Sequence, residues 1–276
     1  MTSWTAHVEN GSVAQVNGVH TFYVDVGRGD AVLLIHGWGS SSFSWRRNYR
    51  ALSSFFRVIA VDLPGFGLSS RLPAGFHLDT VSTHLVSLMQ KMDINRFCVV
   101  GHSSGGAIAA YIAARHADKV SKLVLVSPSL LGGRTGKRPF FVELARNKTV
   151  GKILVRVLVN RYFIKRALKN AYNDDSLVDG ETVEGYFQSV VKSGPVLLEA
   201  FNIMEEFNSA LMDQVKCDVL FVLGEKDSWV PVEENKSIAE RIRARLVVVP
   251  GAGHVPHEEK PELVNNVIIE FLRDGS

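Results

Sequence analysis

Apolar residues along this chain follow two rhythms. In the first, short runs of Val, Leu and Ile are apolar on consecutive positions, at 31–35, 58–61, 97–100, 123–126, 219–223 and 246–249. A strand with one wet face alternates, so a run apolar throughout predicts a strand buried on both faces, as in a parallel sheet. In the second rhythm, apolar positions recur at helical spacing over about 43–54, 78–93, 104–116, 233–243 and 261–273. Asp79 or Thr80 suits the cap of the second of these, and Pro261 suits the first turn of the last. Ahead of the first run, Val13–Val16 and His20–Val26 flank Asn17-Gly18, a hairpin signal because a type I′ turn needs positive φ at both central residues. Strands alternating with helices predict an α/β fold: an open, mostly parallel central sheet with helices on both faces.

The alternation stops between about 129 and 214, where the spacing is helical and no buried strand is legible. That interval is too long for a loop in a compact domain. It predicts a helical lid inserted into the sheet, dividing the chain into a first core part at 1–128, a lid at 129–214 and a second core part at 215–276.

Composition narrows the class without naming it. The chain has 276 residues, 46% hydrophobic and 21% charged, with a net charge of +3, which is too small for a dedicated nucleic-acid binder. Two cysteines exclude a disulfide framework and a cysteine zinc site. Neither a signal-peptide stretch nor a membrane-length apolar segment is legible, so the expected location is cytoplasmic.

Open α/β sheets carry their sites at the carboxyl ends of the strands, and the chemistry is concentrated there. After 97–100 comes Gly101-His102-Ser103-Ser104-Gly105-Gly106, with a helix rich in small residues beyond it. Strand, G-x-S-x-G turn and helix together describe a nucleophile elbow; the plainer alternative is a Gly-Ser turn opening an ordinary helix. After 219–223 stands Asp227, with Glu225 as rival acid, and after 246–249 stands His254, with His257 as rival base. Ser103 as nucleophile, His254 as base and Asp227 as its orienting acid make a chemically complete set. Acyl transfer also needs two donors for the oxyanion. The backbone N–H of Ser104 supplies one, and that of Trp38, in the His36-Gly37-Trp38-Gly39 loop after 31–35, supplies the other. His36 and His102 read as braces. No metal or organic cofactor is implied.

Together these residues resemble the α/β-hydrolase superfamily, in its esterase, lipase and C–C hydrolase branch. The resemblance runs from the His36 loop through Asp62-Leu-Pro-Gly-Phe-Gly-Leu-Ser69, the elbow and Gly224–Asp227 to Gly253–Glu262. It implies the α/β-hydrolase fold and a serine hydrolase cleaving carboxylic esters with an apolar acyl or alcohol part. It gives Asp62 a structural role only. Relatives that attack with an aspartate, the haloalkane dehalogenases and epoxide hydrolases, are excluded by Ser103. Carbon–carbon hydrolases of the meta-cleavage type usually carry Trp after the histidine, and Val255 departs from that pattern. C–C cleavage of a β-diketone-like substrate is the alternative, and a ligand receptor of the same fold is a third reading.

Charge is uneven within the lid. Eleven basic residues and one acid lie between 134 and 169, and eight acids and one lysine between 174 and 206. The plain expectation is two solvated helix faces that attract each other. The sharper one is a basic, apolar surface resting on anionic lipid.

Overall fold

The computed structural model describes residues 3–130, 159–194, 196–200, 203 and 206–274. Eight strands form one sheet: β1 (Ser12–Val16), β2 (Val19–Val26), β3 (Ala31–Ile35), β4 (Arg57–Val61), β5 (Phe97–His102), β6 (Val120–Val126), β7 (Asp218–Gly224) and β8 (Arg245–Val249). Their order is β1-β2-β4-β3-β5-β6-β7-β8, antiparallel at β1/β2 and β2/β4 and parallel from β4 onward. Every run expected to be a strand is one. Asn17 and Gly18 both take positive φ, 49° and 81°, so Val16 pairs with Val19 across the expected tight turn.

Consecutive apolar residues are explained by the two helical layers. On β3, Leu33 and Ile35 join the core beneath α3 (Leu78–Lys91) and α4 (Ser104–Arg115). Val32 and Leu34 face the opposite core, beneath α10 (Pro261–Arg273). All four are fully buried. Truncating Leu33, Leu34 or Ile35 to alanine costs about 2–5 kcal/mol, the lost transfer energy plus the cavity left behind.

Three details differ from expectation. The first lies before the hairpin, where α1 (Trp4–Glu9) was not legible; it forms because the Ser3 hydroxyl accepts from Ala6 N–H at 3.2 Å and Trp4 and His7 pack on Phe43. The cap of α3 is His77, two or three residues before the residues expected; Thr80 contributes from inside the helix, its hydroxyl accepting from the His77 N–H at 3.2 Å. Finally, the helix expected over 43–54 is a 3₁₀ turn at Ser42–Trp45 and a short α2 at Tyr49–Leu52. Buried Asp62 breaks the regular pattern there by accepting from both the Ser42 N–H and its hydroxyl.

Between β6 and β7 the described residues are helical: α5 (Arg161–Ala171), α6 (Gly180–Ser193), α7 (Val196–Glu199) and a 3₁₀ turn at Ser209–Gln214. The stretch 131–158, which carries seven of the eleven basic residues noted above, lies outside the described residues. The chain closes with α8 (Val232–Arg241), whose Ile238 and Ala239 join the core beneath α3 and α4, then α9 (Pro256–Glu259) and, on the opposite face, α10, with Pro261 in the first turn of α10 as expected.

The strand order reverses direction at β3. From there the chain goes to β4 on one side and then to β5 on the other. The crevice between the carboxyl ends of β3 and β5 is the place where open α/β sheets accept ligands.

Candidate active site

Ser103 stands at that crevice, at the carboxyl end of β5. Its backbone has φ 52° and ψ −122°, a conformation that costs a non-glycine residue about 1–3 kcal/mol and persists only where its surroundings enforce it. They do so from both sides. The Ser103 N–H donates to Val126 O on β6, and its carbonyl accepts from Gly106 and Ser129. The turn is tight enough that a Cβ on Gly105 would sit 2.3 Å from His36 O, so only glycine lets α4 start this close to the β3 loop.

The serine hydroxyl lies 2.9 Å from His254 Nε2, and His254 Nδ1 lies 2.8 Å from Asp227 Oδ2. Because an ionised carboxylate only accepts, the Nδ1–H donates to Asp227 and leaves Nε2 as acceptor for the Ser103 hydroxyl. Both His254 and Asp227 side chains are almost completely buried. Burial alone would raise the Asp227 carboxyl, but His254 and the backbone N–H groups of Val230 and Trp229, each 2.9 Å from Oδ1, hold it below its ordinary range. Asp227 is therefore an anion at neutral pH.

The rivals named from sequence are elsewhere. Glu225 is exposed and accepts from Gly251 N–H at 3.0 Å. His257 is fully buried, its ring 4.4 Å from that of Trp45 and 4.5 Å from that of His102, and burial pushes it far below the ordinary histidine range.

Two further histidines brace the site. The His36 ring donates from Nδ1 to Gly37 O at 2.8 Å and accepts at Nε2 from Leu63 N–H at 3.0 Å. Burial lowers His36 to about 4, so it stays neutral and keeps both roles. The Gly37 backbone thereby lies against the elbow, close enough that a Cβ there would meet Ser103 Cβ at 3.0 Å. Trp38 follows in the same loop, and its indole N–H donates to Leu197 O of α7 at 2.6 Å. Ser104, buried at the first position of α4, has a backbone N–H that no helical carbonyl can reach. His102 donates from Nε2 to His254 O at 2.9 Å, so it steadies the histidine loop as well as the elbow it precedes.

Two features were not legible in advance. Trp229 stacks on His254, with ring centroids 5.2 Å apart at 24°, while remaining 45% exposed. Its position two residues after Asp227 was the available signal. The second is a buried cluster at the end of the same histidine loop, where Glu258 accepts from Arg46, from the Tyr186 hydroxyl and, at 2.8 Å, from the Tyr172 hydroxyl.

Ser103, His254 and Asp227 thus stand hydrogen-bonded in line in the loops after three strands of an eight-stranded, mostly parallel α/β sheet. The profile of the Alpha/beta hydrolase family matches residues 32–267, and the chain belongs to that family. It is 28% identical over 266 residues to a 2-hydroxy-6-oxononadienedioate/2-hydroxy-6-oxononatrienedioate hydrolase of Comamonas testosteroni, covering 91% of this chain and 90% of that protein. It is 27% identical over 247 residues to the dihydrolipoyllysine-residue acetyltransferase component of the acetoin cleaving system of Pseudomonas putida, covering 89% of this chain but only 64% of that longer protein. Among solved structures, a meta-cleavage product hydrolase of Pseudomonas fluorescens complexed with acetates superposes with a TM-score of 0.82 at 25% identity, covering 97% of this chain and 99% of that one.

Proposed function

We propose that this α/β-hydrolase cleaves carboxylic esters through an acyl-enzyme on Ser103. The observation that carries the reading is the unbroken hydrogen-bonded line from Ser103 through His254 to Asp227, with the serine on a strained elbow. In the first step Ser103 Oγ attacks the ester carbonyl while its proton passes to His254 Nε2. The oxyanion forms beside the backbone N–H groups of Trp38 and Ser104, and Asp227 stabilises the imidazolium. His254 then protonates the leaving alkoxide, and the acyl group remains on Ser103. Water, deprotonated by His254, attacks that acyl group; release of the carboxylic acid returns the proton to Ser103.

C–C cleavage of a β-diketone-like substrate uses the same residues, with the proton delivered to a carbon leaving group. The Comamonas and Pseudomonas fluorescens relatives favour it; Val255 after the histidine favours the ester. A panel of p-nitrophenyl esters run beside a vinylogous β-diketone separates the two. The ester reading expects kcat/KM to rise from acetate toward butyrate–octanoate and to fall for palmitate, since each buried methylene contributes about 0.8 kcal/mol until the chain outgrows its pocket. Diketone turnover exceeding that of every ester would replace the first reading with the second.

The insertion between β6 and β7 acts as a lid in this reading, covering 129–214. Its α5 also presents Tyr162, 69% exposed, and Phe163, 42% exposed, among the exposed cations Lys165, Arg166 and Lys169. That combination of aromatic and basic side chains suits the headgroup region of an anionic lipid layer, where ester substrates with apolar parts collect.

A further inference from the structure

His254 is held by its neighbours more closely than by its own loop. Its N–H donates to Ala171 O, at the C-terminal end of α5, at 2.7 Å, and its carbonyl accepts from His102 at 2.9 Å. One residue earlier, Gly253 N–H donates to Glu259 Oε1 at 2.6 Å. The other oxygen of the same carboxyl, Oε2, accepts from Asn173 N–H at 2.8 Å and Asp174 N–H at 3.1 Å, in the turn that follows α5. Glu259 thus bridges two chain segments that have no covalent reason to stay together, the histidine loop and the end of α5. The approach is close: a Cβ on Gly253 would lie 2.4 Å from Ala171 O and 2.8 Å from Asn173 N. Tyr172, between them, is fixed by its hydrogen bond to Glu258.

From this geometry we infer that Glu259 is a positioning residue for His254, and that the end of α5 is a fixed wall of the site rather than a moving part of a lid. The inference rests on the proposed role of His254 as base. A side chain bonded on both faces transmits any displacement of α5 to the imidazole, and an error of about 1 Å in such a group costs on the order of 100-fold in rate. Burial raises the Glu259 carboxyl, while the N–H donors of Gly253, Asn173 and Asp174 oppose that rise.

Glu259→Gln tests the idea with little change in volume. Glutamine keeps one acceptor oxygen and turns an NH₂ group toward an N–H, so one half of the bridge is lost. The expected result is a 10- to 100-fold fall in kcat with KM for a soluble ester within about two-fold, and an equal fall in the rate at which a fluorophosphonate labels Ser103. Both are measured below the unfolding temperature, where a purely structural role would leave them unchanged. Asp175→Ala, which removes an exposed ion pair with Lys169 just past the same helix end, keeps the parent kcat. Should Glu259→Gln destabilise the fold too far, Glu259→Asp, too short to span both segments, is expected to show the same split. Wild-type kcat and labelling rate in folded Glu259→Gln or Glu259→Asp overturn the inference while leaving the serine mechanism intact. Full activity of Ser103→Ala would instead remove the mechanism on which it rests.

Discussion

His257 lies three residues beyond His254 and illustrates how little sequence proximity decides at a site. The turn at α9 sends its ring inward between Trp45 and His102, while His254 reaches Ser103. His254→Ala is expected to lower kcat/KM by roughly 10⁴- to 10⁶-fold, because residues of such a set act as a unit. His257→Ala should keep turnover near the parent value and lose stability instead; the reverse pattern would assign the base to His257. Asp62 makes a different prediction. Burial raises its carboxyl to about 6 against the hydrogen bonds from Leu68 and Ser42, so folding favours its protonated form. The stability this confers is complete below the unfolded value of 3.8 and drains as pH climbs through about 6. Relative to Asp62→Asn, which does not titrate there, the parent protein should lose roughly 1.4 kcal/mol between pH 5 and 7.5 in denaturant melts. An unchanging difference would place the Asp62 pKa outside that window. At this scale the hydrogen-bonded line of Ser103, His254 and Asp227 was legible because each stands within a few residues of the end of an apolar run. Arg46 was not: within a helical pattern a lone arginine reads as solvent-facing, and only the tertiary fold brings buried Glu258 against it.

Among the elements, α5 carries the most contested reading. Part of the expected attraction between basic and acidic faces is present: Arg161 donates to Glu184 of α6 at 2.7 and 3.1 Å, and Lys169 lies 2.6 Å from Asp175. Other acids instead pair with exposed basic side chains of the first part of the chain, Glu206 with His77 at 2.6 Å and Glu199 with Arg71. These pairs are exposed, and each contributes little to stability. Tyr162 and Phe163, both exposed, are what they leave unexplained. Co-sedimentation with phosphatidylglycerol vesicles should therefore occur at low salt, weaken at moderate salt, and disappear in a Tyr162→Ser/Phe163→Ser double variant whose turnover of a soluble ester is unchanged. Failure to sediment at low salt would leave α5 as an ordinary solvated helix. Element boundaries were readable where apolar periodicity was strong, as in α10, and unreadable at Ser42–Leu52. There a polar anchor, Asp62, sets the backbone path, and hydrophobic spacing carries no trace of it.

For the molecule as a whole, the order β4-β3-β5 explains why residues some two hundred positions apart converge. The reversal at β3 opens one crevice, and the loops after β3, β5, β7 and β8 all end beside it. The strand runs made that arrangement legible in outline; the way the insertion grips the histidine loop was not, since every donor and the Ala171 carbonyl are backbone groups that any sequence carries, and nothing in the pattern around Glu259 says which N–H groups its carboxylate meets. Everything proposed about the chemistry depends on Ser103 being the nucleophile. The most direct measurement is intact-mass and peptide mapping after reaction with a fluorophosphonate, on the parent protein and on Ser103→Ala. A single adduct on Ser103, absent from a folded Ser103→Ala that has lost roughly 10⁴- to 10⁶-fold of its ester turnover, is the predicted result. An adduct on another residue, or a Ser103→Ala variant that still turns over ester at the parent rate, would contradict it.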